Sequence, residues 1–399
     1  MRPSPSFAGL VSFATAATAF AATPVRFEKQ VLDERFFAEG VAAFDVNRDG
    51  HMDVVAGPFW FAGPEFKKRT ELRAPHAYDI ESYSDAFIMD SGDFDGDGWT
   101  DVLQIGWPGR DALWFRNPGK AGGDWERHVA FPIVGTESPA WVDLDGDGRR
   151  DLVFAANKKL GWATPDPGRP TAPWWPFRTF TPEGPWQRYT HGLGVGDLNG
   201  DGRADVLTAT GWWEQPPSLA GDPVWRHHAA DFGQGGAQMF AYDVNADGRT
   251  DVITSIHGHR YGLSWYEQSA PAADGTVTWK EHRILSRDPA ERLGGVQFSQ
   301  PHALVLVDVD RDGALDLVTG KRAWAHGTKG DPEPDAPAVL YWFRLIREGN
   351  AVRYEPHRID DASGVGTQFV ATDVNADGRP DLVIANKRGV FVFRQVVAP

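Results

Sequence analysis

Aspartate and asparagine recur at one spacing, D-x-[DN]-x-D-G-x-x-D, seven times along the 399-residue chain. The copies are Asp45, Asn47, Asp49, Asp53; Asp93, Asp95, Asp97, Asp101; Asp143, Asp145, Asp147, Asp151; and Asp197, Asn199, Asp201, Asp205. They continue with Asp243, Asn245, Asp247, Asp251; Asp308, Asp310, Asp312, Asp316; and Asp373, Asn375, Asp377, Asp381. Oxygens at positions one, three, five and nine, with a main-chain carbonyl at seven, can surround a hard cation, and glycine at six permits the sharp bend. An EF-hand would need Glu at position twelve, where the first three copies hold Ala56, Gln104 and Phe154. Turn-forming preference alone would account for one such loop but not for seven at a fixed spacing. Up to seven structural calcium ions are therefore expected. A second set of residues stands six positions before each first aspartate: Glu39, Phe87, Glu137, His191, Ala237, His302 and Thr367. Two imidazoles and two carboxylates suit zinc or manganese rather than calcium, if the fold brings them together. The competing reading is polar lining of a wet channel.

The elements that must position these residues are strands. Apolar residues lead into each acidic turn and a β-branched run leaves it, as in "DVVAG" and "DVITS". An aromatic strand follows, around Trp60, Trp114, Trp213, Trp265 and Trp342. A fourth strand pairs an aromatic residue with a polar one three later: Trp125/His128, Trp186/Tyr189, Trp225/His228, Trp279/His282 and Tyr354/His357. Four strands in each of seven units predict an all-β, seven-bladed propeller occupying residues 22–399 as one domain. The last unit has no fourth strand of its own, and "RFEKQVLDE" near the start is expected to complete it and close the ring.

In a propeller the first strand of each blade is innermost, so the positions six before each motif converge on one mouth of the central channel. The loops between second and third strands open on that mouth. They carry Trp107 and Arg110; Lys158; His257, His259, Arg260 and Tyr261; Lys321, Arg322, Trp324 and His326; and Lys387. Residues present in most units belong to the scaffold by the same logic, which sets aside His128, His228, His282 and His357.

A net charge of −15 argues against nucleic acid and anionic membranes as partners, and seven divalent ions would nearly cancel it. Residues 1–21 read as a signal peptide, with Arg2, an apolar run from Phe7 to Phe20 and a small-x-small site at Ala19-Phe20-Ala21. The expected location is secreted, periplasmic or cell-envelope. No later segment is long and apolar enough to span a membrane. The absence of Cys excludes disulfides and thiol chemistry.

The motifs resemble the FG-GAP or VCBS repeats of integrin α-subunit heads and secreted bacterial proteins. The stretches "YTHGLGVGDLNGDGRADVLTATGWWEQP", "SQPHALVLVDVDRDGALDLVTGKRAWAHG" and "SGVGTQFVATDVNADGRPDLVIANKRG" are similar to the propeller of the aldos-2-ulose dehydratase family. That family's cupin domains have no counterpart in this sequence. The resemblance implies a carbohydrate lyase or dehydratase acting on a keto-sugar or uronic-acid glycan. In this reading His191, His302 and Glu137, with Glu39 as a fourth candidate, hold the rim metal. Either His257 or His259 takes the α-proton, and either Lys321 or His326 neutralises the enolate or protonates the departing oxygen. Trp107, Trp212 and Trp324 stack on sugar faces, beside Arg110, Arg260, Tyr261, Arg322, Lys158 and Lys387. The rival expectation is a non-catalytic propeller that binds a glycan or protein, and a third is a structural module of the envelope.

Overall fold

In a computed structural model of the protein, the described residues are 25–397 apart from 171, 274 and 350. The expected signal peptide lies outside them. The described chain is all-β with one short 3₁₀ turn, Gly119–Ala121, and no helix among the described residues is long and apolar enough to cross a membrane.

Each repeat folds as an antiparallel meander because its apolar strands are separated by turns that the sequence dictates locally. The glycine at motif position six takes φ between +80° and +92° in all seven copies, a region that a side chain would disfavour. Asp251 shows how the ninth position joins turn to sheet: one carboxylate oxygen accepts the Val244 N–H at 3.0 Å and the other the Gln268 N–H at 2.9 Å. The position-two amide is bound in this way in every copy. The ninth aspartate is buried throughout, so this carboxylate satisfies backbone donors that water cannot reach.

Neighbouring units are tied by amide side chains at the end of the third strand. Asn117 Nδ2 donates to Val46 O at 2.9 Å, Gln215 Nε2 to Leu144 O at 2.7 Å, Gln268 Nε2 to Leu198 O at 3.0 Å and Gln395 Nε2 to Val309 O at 2.8 Å. Apolar cores lie between sheets; one joins Val54 and Phe61 of the first sheet to Val383 and Phe391 of the last.

The arrangement is that of a propeller, but its sheets are not the seven separate blades expected. Five four-stranded sheets stand alone, and the units of the fourth and fifth motifs are merged into one eight-stranded sheet. The merger is a parallel pairing of two first strands, Leu193–Gly196 and Gln238–Tyr242, with Leu193 opposite Gln238 and Gly194 opposite Met239. Gly194 permits it, since a Cβ there would stand 2.2 Å from Met239 O. The segment Val25–Asp33 pairs antiparallel with Gly389–Val397 along the edge of the last sheet. The first strand of that sheet, Phe369–Thr372, is held beside the first unit by Gln368, whose amide exchanges hydrogen bonds with Val41 N and O at 2.9 and 3.0 Å.

Candidate functional site

The positions six residues before the motifs do meet. Arg322 Nη2 lies 2.6 Å from Glu39 Oε1, and its Nη1 lies 3.2 Å from Glu137 Oε1 and 3.1 Å from His302 Nε2. Glu137 reaches His302 Nε2 at 3.0 Å and His191 Nε2 at 2.9 Å. Arg322 also sits 5.1 Å from the Phe87 ring, Thr367 Oγ1 donates to Phe87 O, and Ser138 Oγ donates to Ala237 O at 3.2 Å.

Glu137, His191, His259 and His302 each offer one ligand atom, and these atoms all lie within 4.8 Å of one another. The expected set is thereby altered in one member. Glu39 is engaged by Arg322 and by the Ser84 N–H at 3.1 Å, while His259, expected as a base, brings its Nε2 to 2.8 Å from His191 Nε2. His191 Nδ1 donates to Tyr189 O at 2.8 Å, so its Nε2, facing Glu137 and His259, carries a lone pair in the neutral ring and a second proton in the charged one. Two imidazole nitrogens at this separation repel unless a proton or a metal ion stands with them, so the donor set fits a cation.

The electrostatics agree with that composition. Burial works against ionisation of Glu137, yet His302 and His191 hold it well below the usual carboxylate range. Burial and then Arg322 push His302 down to about 4, so it is a neutral imidazole at pH 7. Burial, then His302, lowers His259 as well. Burial opposes protonation of His191, but the hydrogen bond to Glu137, the Glu137 charge and the Tyr189 carbonyl together outweigh it and raise the imidazole.

A cavity of about 440 Å³ opens over the cluster, lined by Tyr83, Phe87, Trp107 and Tyr189 together with Glu137, His191, His259 and His326. The His326 ring lies 4.4 Å from that of His259, and its Nδ1 is 3.3 Å from Asp331 Oδ1. His257 Nδ1 accepts the His259 N–H at 3.1 Å, one step behind the cluster.

The other expected site residues are not among the side chains that line this cavity. Lys321 is buried, with Nζ 2.7 Å from Ser299 Oγ. Arg322 is buried as the bridge between Glu39 and Glu137 and presents no exposed charge. Lys387 donates to Ile80 O and Ser82 O at 2.9 and 2.6 Å, and burial pulls its ammonium down to about 8. Trp212 is buried and stacked on His228 at 4.1 Å, on a different cavity. Trp324 donates to Pro334 O at 2.9 Å, and Tyr261, pushed up to about 12 by burial and Glu333, is half-buried. Arg110, Lys158 and Arg260 are exposed.

Sequence reasoning missed Tyr83, Tyr189 and Arg188. The Trp186/Tyr189 spacing predicts a fourth strand there, but in that unit the fourth strand is Phe177–Thr179. Tyr189 instead has φ +65° and stands 46% exposed at the cavity. The signal that could have exposed it is the long connection "TPEGPWQRYTH", which follows that strand and leads into the fourth unit.

Carboxylate oxygens at positions one, three and nine approach within 4.8 Å of one another in the three loops with Asp at position three, headed by Asp93, Asp143 and Asp308. Burial and the other motif acids push the ninth aspartate up to about 6 or 7, as for Asp251 and Asp205. Part of the expected repulsion is relieved by arginine: Arg116 Nε lies 2.6 Å from Asp95 and Arg344 Nε 2.5 Å from Asp310, and Arg203 and Arg249 pair with Asp201 and Asp247.

The FG-GAP-like repeat pattern matches residues 93–154, 143–208 and 243–319, and the FG-GAP repeat pattern matches residues 365–393. The chain therefore carries FG-GAP repeats in a propeller. No curated protein matches it in sequence. Among solved structures, an Agrocybe aegerita lectin that recognises non-reducing terminal N-acetylglucosamine is 15% identical, with a TM-score of 0.49 over 94% of this chain and 86% of that one. A rhamnogalacturonan lyase is 14% identical, with a TM-score of 0.47 over 94% and 76%. The V. cholerae biofilm matrix protein Bap1 is 10% identical, with a TM-score of 0.43 over 94% and 92%.

Proposed function

We propose that the protein is an exported carbohydrate lyase or dehydratase built on a calcium-stabilised propeller, acting at the cluster of Glu137, His191, His259 and His302. The observation that carries this reading is the convergence of three imidazoles and one carboxylate under an aromatic-walled cavity. A zinc or manganese ion held by these four residues would supply a Lewis acid for a sugar carbonyl or carboxylate. Glu137 stays ionised within the set, and the Arg322 bridge to Glu39 fixes its orientation. With His259 among the ligands, His326 is the imidazole on the cavity wall free to take or return a proton, oriented by Asp331. We read the eight-stranded sheet as two repeat units sharing one sheet, and Val25–Asp33 as the strand that closes the ring.

Metal analysis of purified protein, beside an absorbance screen for unsaturated products from keto-sugars and uronic-acid glycans, tests the reading. His191→Ala or His302→Ala is expected to remove one non-calcium metal ion per chain and to lower turnover by about a hundredfold or more, with calcium content unchanged. No transition metal in the wild type, or unaltered metal and turnover in both variants, overturns it. The aromatic walls also suit a non-catalytic glycan-binding propeller, and tight glycan binding without turnover would favour that.

A further inference from the structure

Two guanidinium groups stand against the indole of Trp107, a residue of the cavity wall. The Arg188 and Arg110 Cζ atoms lie 5.4 and 5.7 Å from the centroid of Trp107. Arg188 is also 5.3 Å from the Tyr189 ring, and its Nη2 donates to the Tyr189 hydroxyl at 3.2 Å. Both arginines are exposed, and neither makes an ion pair among the described residues. By contrast, Arg116, Arg149, Arg203, Arg249, Arg344 and Arg379 all pair with motif acids.

The local backbone is shaped around this arrangement. Gly109 has φ +91°, and a Cβ there would stand 2.4 Å from Arg188 Nε, so the absence of a side chain makes room for the guanidinium. Tyr189 keeps a left-handed φ of +65° that costs a non-glycine residue energy. The same residue holds His191 through its carbonyl at 2.8 Å. The strained tyrosine therefore links the arginine at the cavity edge to the imidazole beneath.

We infer that the cavity takes a sugar bearing a carboxylate, a uronic acid residue, with its ring against Trp107 or Tyr189 and its carboxylate held by Arg188 and Arg110. This rests on the carbohydrate reading of the site given above. A guanidinium fork matches a carboxylate in shape and charge, and two stacked forks with no protein acid leave that match to the ligand. A neutral keto-sugar would fill the aromatic walls and leave both charges without a counterpart.

The full-length protein as purified is titrated calorimetrically with oligogalacturonates, glucuronate-containing oligosaccharides and alginate oligomers, and with the same oligomers after reduction of their carboxyl groups to alcohols. At least one uronate is expected to bind about tenfold or more tighter than its reduced form, with affinity falling as salt rises. Arg188→Gln is expected to remove most of that preference while leaving affinity for the reduced form within about twofold. Gly109→Ala, which displaces Arg188, should act in the same direction in a protein whose melting curve shows it folded. Equal affinity for both forms, an unchanged preference in Arg188→Gln, or no binding by any uronate overturns the inference. Metal content and turnover distinguish its failure from that of the catalytic reading: a metal-loaded enzyme that prefers neutral sugars sinks only this inference, whereas a metal-free protein that prefers uronates sinks only the other.

Discussion

Two groups of imidazoles in this chain sit in contrasting surroundings. His128, His228, His282 and His357 lie flat on Trp114, Trp212, Trp265 and Trp342, with centroids 4.1 to 4.5 Å apart. His282 Nε2 is also 2.7 Å from Glu267. Truncating it should cost about 1 kcal/mol for the lost stack and hydrogen bond and leave the proposed rim metal in place, as urea unfolding and metal analysis would check. His259→Ala should do the opposite, removing the proposed rim metal while the unfolding midpoint, compared with both proteins metal-free, changes little. The split is legible in the sequence, because a residue repeated in most units carries the scaffold. The spacing of six residues ahead of each motif locates Glu39, Glu137, His191 and His302 because one first strand runs between rim and turn in each unit. The loop that carries His259 was expected at the same mouth, though with His259 as a base and not within the ligand set, whereas Tyr83 and Tyr189 come from connections that no repeat constrains.

Among the elements, the acidic turn followed by its strand was the most legible, since glycine, apolar run and ninth aspartate all favour the same hairpin. Asp251→Ala would strand the buried Val244 and Gln268 amides, at about 1 to 3 kcal/mol for each unsatisfied group. Arg249→Ala is the comparison: it removes the Nε bond to Gln268 O at 2.9 Å and the pairing with Asp247 but leaves both amides bonded, so urea unfolding should show the smaller loss. The merged sheet was not legible, because pairing between first strands depends on how closely two backbones approach rather than on either strand's own pattern. Gly194→Ala should force Leu193–Gly196 away from Gln238–Tyr242. Faster amide hydrogen exchange confined to that pair of strands is the expected outcome, and unaltered exchange would count against a role for the small residue.

For the whole molecule, a strong chelator is expected to lower the melting temperature and added calcium to restore it; an unmoved melting curve would remove calcium from the account. Deleting Val25–Asp33 should expose the edge of the last sheet and cost cooperative unfolding, read by calorimetry. The same edge has a mechanical meaning. Val25 lies opposite Val397 and Val31 opposite Phe391, in antiparallel register. A load applied between residues 25 and 397 therefore meets the hydrogen bonds one rung at a time, as a zipper is opened, instead of shearing the whole ladder together. In a force spectrometer the first event should be a low-force peeling of these two strands, with the inner sheets still folded, and moving one attachment point to the far end of Val25–Asp33 should convert that peeling into a high-force rupture.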